Sequence, residues 1–141
     1  MAKVKHTDDV NVVLKVTEDR INDIMKALTL ELQAELFQQT PKDTGHARAN
    51  WIARIGGAGG TAHGSKSSPN ESKSRASAIA TAAKYTFRQS DQITISNHVE
   101  YISELNAGYS TKAAPAFVQT SIYRVAKKVA AAFKSSSRGI K

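Results

Sequence analysis

Apolar residues recur at steps of three and four through Ile21, Ile24, Met25, Leu28, Leu32 and Leu36. That spacing is one face of an amphipathic helix and predicts a helix over roughly Glu18 to Gln39. Thr17, followed by Glu18, Asp19 and Arg20, reads as its N-cap: the hydroxyl can accept a backbone amide, and the acids sit at the positive end of the helix dipole. Pro41 has no amide hydrogen and disfavours helical backbone in the residue before it, so the helix should stop near Thr40. Upstream, Met1 to Asp9 is polar. Val10 to Val16 (V-N-V-V-L-K-V) is rich in β-branched residues and reads as a strand or an extended arm docked on a neighbour.

The stretch from Thr40 to Trp51 (T-P-K-D-T-G-H-A-R-A-N-W) then forms a corner. Asp43 and Thr44 can bond nearby amides in a turn, and Gly45 can take a positive φ. Trp51 brings a large apolar surface that needs burial. The second half of Ala47 to Ile55 reads as a strand with Trp51, Ala53 and Ile55 on one side. Gly56 to Ser72 is dominated by glycine and serine without an apolar anchor, which predicts a mobile loop. Ser74 to Phe87 is alanine-rich and helical by propensity. Gln92 to Ser96 alternates, placing Ile93 and Ile95 on one face of a half-buried strand. Val99, Tyr101, Ile102 and Leu105 suggest a short helical turn ended by Gly108. Pro115 fits the first turn of a last helix, about Pro115 to Lys134, with Phe117, Ile122, Val125, Val129 and Phe133 on its buried side.

These elements predict an α+β fold. A small, mostly antiparallel sheet packs with two long helices, N-terminal and C-terminal, plus the shorter alanine-rich helix. Residues 1–17 form an arm or strand, 18–134 one domain carrying the mobile loop 56–72, and 135–141 a basic tail. At 141 residues the chain can bury a real core. Yet aromatics make up only 6% and alanine is abundant, so the core should be modest and gain from partner subunits.

Charge and cysteine content narrow the function classes. The net charge of +8 suits nucleic acid or an acidic protein surface, but the basic residues are scattered over several segments, as on a solvated surface. With no cysteine, disulfides, iron–sulfur clusters and thiol catalysis are excluded. No apolar run approaches the roughly 18 residues of a membrane span. The first residues lack the apolar core of a signal peptide, which points to a protein made and kept in a cytoplasm unless a larger particle exports it.

Candidate chemistry is sparse. Asp43-Thr44-Gly45 matches the triplet of retroviral-type aspartic proteases, which pair two such aspartates on apolar strands. Here it follows a helix end, so a turn is the better reading. Gly59 to Ser67 nearly spells a phosphate-binding loop, but Ser65 separates glycine from lysine, and Pro69 and Asn70 break the helix that should follow. His6, His46, His63 and His98 show no metal-ligand spacing. Glu100 and Glu104 lie one helical turn apart and read as solvent-facing rather than as a glycosidase-like pair. There is no nucleophile elbow. No enzyme, cofactor or metal is predicted. Lys66, Lys73 and Arg75 can meet phosphates, but without interleaved aromatics any such binding would be non-specific.

From Thr40 to Trp51 the chain resembles the phage tail-completion family, also labelled tail component or neck protein. The family pattern is roughly T-P-x-D-T-G-x-x-R-x-x-W, matched by Thr40, Pro41, Asp43, Thr44, Gly45, Arg48 and Trp51. A second block agrees in order and distance: a strand ending at Asn97, then Tyr101, Leu105, Gly108, Tyr109, Ser110 and an alanine–proline helix start at Ala113 to Val118. The resemblance covers about Glu18 to Arg124. Asn106 stands where the family usually has glutamate, Pro115 lies one place later than usual, and Phe117 replaces a common methionine.

The resemblance implies a structural virion protein that forms a homo-oligomeric ring, commonly of six subunits. Such a ring sits at the head–tail junction between head-completion or connector proteins and the tail tube or tail terminator. DNA would pass through its lumen without sequence-specific binding, and no membrane is involved. The location implied is the virion, and the host cytoplasm during assembly. The competing reading of the residues is a small basic module that binds DNA non-specifically.

Overall fold

The structure, a computed structural model, describes residues 2–41, 45–57, 59–108 and 115–139; for 2–18 and 135–139 it describes the backbone alone. The described residues form helices α1 (Ala2–Gln39), α2 (His46–Ala49), α3 (Glu71–Lys84), α4 (Ile102–Ala107) and α5 (Phe117–Gly139), with strands β1 (Ile52–Ile55) and β2 (Ile93–Ser96). The strands pair antiparallel, with Ala53 opposite Ile95 and Ile55 opposite Ile93. The architecture is α+β with long helices at both ends of the chain.

α1 is the spine, packed by α5 on one side and α3 on another. It ends where Pro41 requires, and the Thr40 amide still bonds the Leu36 carbonyl at 3.1 Å. Val10 to Val16 is neither strand nor extended arm: its backbone continues α1, and Thr17 lies inside the helix rather than capping it. The reason is phase. Val10, Val13, Leu14, Thr17 and Ile21 keep the three–four spacing of the residues downstream, and a short apolar run is not assigned to strand or helix by composition alone.

The core centres on Leu36, Trp51 and Phe117, with Leu32, Ile95, Ile102, Leu105 and Val118 packed against it. Alanine fills much of the rest: Ala47, Ala49, Ala53, Ala78 and Ala82 are all buried. Trp51 is buried immediately before β1 rather than within it. α3 starts at Glu71 and stops at Lys84, earlier at both ends than propensity suggests, because Pro69 precedes its Asn70 cap and Tyr85 turns to extended backbone. α5 begins at Phe117, two residues after Pro115, because Ala116 takes a φ of +58°. Its buried line is Phe117, Ser121, Val125 and Val129, a strict four-residue step; Ile122 is instead 48% exposed. At its far end the Arg20 guanidinium donates to the Phe133 carbonyl at 2.8 Å. Arg124–Glu35 and Lys128–Glu31 pair along the α1–α5 seam at 3.3 and 2.9 Å. Such exposed pairs stabilise little.

β1 has an unusual neighbour. Its outer edge, which would accept a third strand, faces α3. The Ser77 hydroxyl accepts the Ala53 N–H at 3.0 Å, and the Thr81 hydroxyl donates to the Ala53 carbonyl at 3.1 Å. One turn earlier the Ser74 hydroxyl donates to the Trp51 carbonyl at 2.6 Å and accepts from Gln33 at 2.9 Å. Buried backbone groups need partners, and a helix supplies them here through side chains at three- and four-residue steps.

Candidate functional site

Thr40, Arg48 and Trp51 converge at the end of α1. A helix end leaves its last carbonyls without intrahelical partners. Arg48 fills that gap: its Nε donates to the Thr40 carbonyl at 2.7 Å and a terminal nitrogen reaches the Gln38 carbonyl at 3.3 Å. Its guanidinium also lies 5.6 Å from the centre of the Phe37 ring. The Thr40 hydroxyl donates to the Leu36 carbonyl at 2.6 Å and accepts the Trp51 indole N–H at 2.8 Å. Pro41 is buried beside it.

The chain returns to Thr40 because Gly45 and α2 reverse it. Gly45 has a φ of +80°, and its carbonyl accepts the Ala49 amide at 2.9 Å. A Cβ at Gly45 would meet the Glu71 carboxylate, the far end of a flexible side chain that can swing aside, so it is the backbone that asks for glycine. Asp43 and Thr44 lie outside the described residues, as do Tyr109 and Ser110.

The second block braces the same corner. The Asn97 amide donates to the Ala47 carbonyl at 2.9 Å, and its carbonyl oxygen accepts the Val99 N–H at 3.0 Å. Leu105 packs on the Leu36–Trp51–Phe117 cluster. Gly108 closes α4 with a φ of +100°, donating its amide to the Glu104 and Leu105 carbonyls. Asn106, the departure from the family pattern, ties α4 to α5. Its side-chain oxygen accepts the Val118 N–H at 3.0 Å, its amide donates to Gln119 at 2.9 Å, and its backbone carbonyl accepts the Ala116 N–H at 2.6 Å. The Lys66 ammonium lies 4.8 Å from the Tyr101 ring centre.

One lock was not legible in the sequence. Asn50, 2% exposed, pairs with the backbone of His63: its oxygen accepts the His63 N–H at 2.8 Å and its amide donates to the His63 carbonyl at 3.1 Å. The His63 ring bonds the Ala49 carbonyl through Nε2 at 2.7 Å. The glycine–serine loop, which has no apolar anchor by sequence, is tied by a polar one. Burial lowers the His63 pKa below its usual value; the Ala49 bond opposes this, while Lys73 and His46 add to it. The only sequence signal was an asparagine directly before the tryptophan. Ser74, Ser77 and Thr81 had a clearer one: hydroxyls on a single helical face in an alanine-rich segment.

Among the described residues, the Arg48, Thr40 and Trp51 side chains join the end of α1 to the chain that returns to it. Gly59 to Ser67 leads into no helix until Glu71, and Lys66 turns to Tyr101. Glu100 and Glu104 are exposed. Among the described residues no three His, Cys, Asp or Glu side chains are placed to hold a metal ion. Among them, too, no helix is long and apolar enough to cross a membrane. Comparison with protein-family models, with curated proteins and with solved structures found no match.

Proposed function

We propose that the chain is a structural protein of a tailed bacteriophage, a tail-completion or neck subunit. In this reading about six copies form a ring at the head–tail junction, closed by head-to-tail contacts. The ring joins the head-completion or connector proteins to the tail tube or its terminator. DNA crosses the lumen without sequence-specific contact. The protein resides in the virion, and in the host cytoplasm during assembly. It is not an enzyme.

The observation that carries this reading is the convergence of Thr40, Arg48 and Trp51 on one helix end. Residues 8 and 11 positions from Thr40 act with it as one brace, an arrangement suited to architecture. The alanine-rich core adds support, since a modest monomer gains from burial against neighbours.

The test is a reconstruction of the neck of the assembled particle. A cyclic ring of this chain at the junction is the expected result. A single copy, or a location in the capsid shell or tail tip, would sink the proposal. A gel shift with random duplex DNA at physiological salt addresses the competing module, because backbone-driven binding falls steeply with salt.

A further inference from the structure

Charge is unevenly divided along the chain, and α5 (Phe117–Gly139) holds one sign of it. The helix carries Arg124, Lys127, Lys128, Lys134 and Arg138 and no acidic residue. Its inner line, Phe117, Ser121, Val125 and Val129, is buried. At 3.6 residues per turn, Tyr123, Lys127 and Lys134 fall on the side directly opposite. All three are exposed, Tyr123 at 68%.

The basic residues of α5 divide into two sets. Arg124 and Lys128 lie beside the α1–α5 seam and are answered there by Glu35 and Glu31. The outer row is not answered: neither Lys127 nor Lys134 has an ion-pair partner among the described residues. The Lys127 ammonium lies 5.9 Å from the centre of the Tyr123 ring, which holds it along the row. In the sequence Arg138 follows at the next four-residue step.

We infer that the outer row of α5 is a docking surface for the phosphate backbone of duplex DNA. A protein partner draws most of its affinity from apolar anchors seated in pockets, and a membrane surface from apolar side chains that insert. The row offers neither. Thr120, Ala130 and Ala131 beside it are small and exposed, and Ile122 turns to the groove against α1. What remains is low relief with unpaired cations, which lets a charged cylinder come close. Lys127 and Lys134 stand about 10 Å apart along the helix axis, and a duplex carries one charge per about 1.7 Å, so one helix meets more than one phosphate. Contacts of this kind carry no sequence information. The inference rests on the ring proposed above and says which face of the subunit meets the DNA.

The test is binding of the full chain to a labelled random-sequence duplex, followed by fluorescence anisotropy. Affinity should fall as salt rises from about 50 to about 200 mM. Lys127→Gln and Lys134→Gln should each reduce the slope of log affinity against log salt by about one. Lys84→Gln removes the same charge from an exposed position on α3 and should leave the slope unchanged.

Unchanged slopes in the α5 variants would overturn the inference. So would an equal loss from Lys84→Gln, which would show net charge rather than this row at work. Tighter binding to phosphatidylserine vesicles or to polyglutamate than to the duplex would overturn it as well. A neck ring whose α5 faces outward would overturn the contact and leave the ring. The expected slopes in a chain absent from the neck would keep the contact and remove the ring.

Discussion

The indole N–H of Trp51 donates to the hydroxyl of Thr40 at 2.8 Å, joining the first and last residues of the corner. Trp51 is 5% exposed and Thr40 fully buried, so this bond has no water to compete with it. Trp51→Phe keeps most of the apolar contact and should cost about 1 kcal/mol through the lost bond. Thr40→Val leaves the indole N–H buried without an acceptor, at about 1–3 kcal/mol. Trp51→Ala also opens a cavity, for about 3–5 kcal/mol. Denaturant melts should rank the variants in that order. A wild-type melt for Trp51→Ala would refute the corner.

Gly45→Ala should destabilise through its backbone, because left-handed conformation costs an L-residue about 1–2 kcal/mol. The new Cβ meets only the far end of the Glu71 side chain, which can swing aside. In a Glu71→Ala background most of the cost should therefore remain. A double-mutant cycle by thermal melting checks this, and full relief would show that the carboxylate, not the backbone, sets the cost.

The hydroxyls of α3 stand in for a third strand. Ser77→Ala removes the acceptor of the Ala53 N–H, and Thr81→Val removes the donor to its carbonyl. Each should cost about 1–3 kcal/mol where no water replaces it. Amide exchange supplies the local readout: Ala53 should exchange faster in Ser77→Ala and little faster in Thr81→Val. Unchanged exchange in Ser77→Ala would show that the hydroxyl does not serve the strand edge.

Asn50→Ala should release the glycine–serine loop. Both of its bonds to the His63 backbone are lost at once, and glycine-rich chain gains much entropy on release. Broad-specificity proteolysis should cut between Gly56 and Asn70 faster in the variant than in the parent. Equal rates would mean that Asn50 does not hold the loop.

His63 should make stability depend on pH. Its folded pKa is lowered, chiefly by burial, so below about 6.5 the unfolded chain binds the proton more readily than the folded one. Its contribution is complete above that pH and is lost as pH falls through the folded value. Stability measured downward from pH 7 should therefore decline, and His63→Gln should flatten the decline. An identical pH profile in the variant would exclude the histidine as its source.

Much of the corner was legible because its causes are local. Pro41 forbids helical continuation, and α1 stops at Gln39. Gly45 was the residue able to hold a positive φ, and it does, at +80°. The helix-period face of Ile21 to Leu36 and the alternation of Ile93 and Ile95 named their elements. The same local reasoning failed at Val10 to Val16, because β-branched composition favours a strand only where another strand is present to pair with it, whereas the helical phase was already running.

The sequence by itself thus determined where the backbone turns at Pro41 and Gly45, that Ile21 to Leu36 is helical and Ile93 to Ile95 extended, and that Trp51 needs a buried site. Those properties depend on φ, on missing donors and on apolar spacing within a few residues. Only the tertiary structure decided which groups meet. Ser77 finds Ala53 across 24 positions, Asn97 finds Ala47 across 50, and Asn50 finds His63 across 13. It also decided that Ser121 rather than Ile122 faces inward on α5. Hydrogen-bond partners and the phase of a helix against its neighbour are set by how rigid elements pack in three dimensions, and no local preference along the chain encodes that placement.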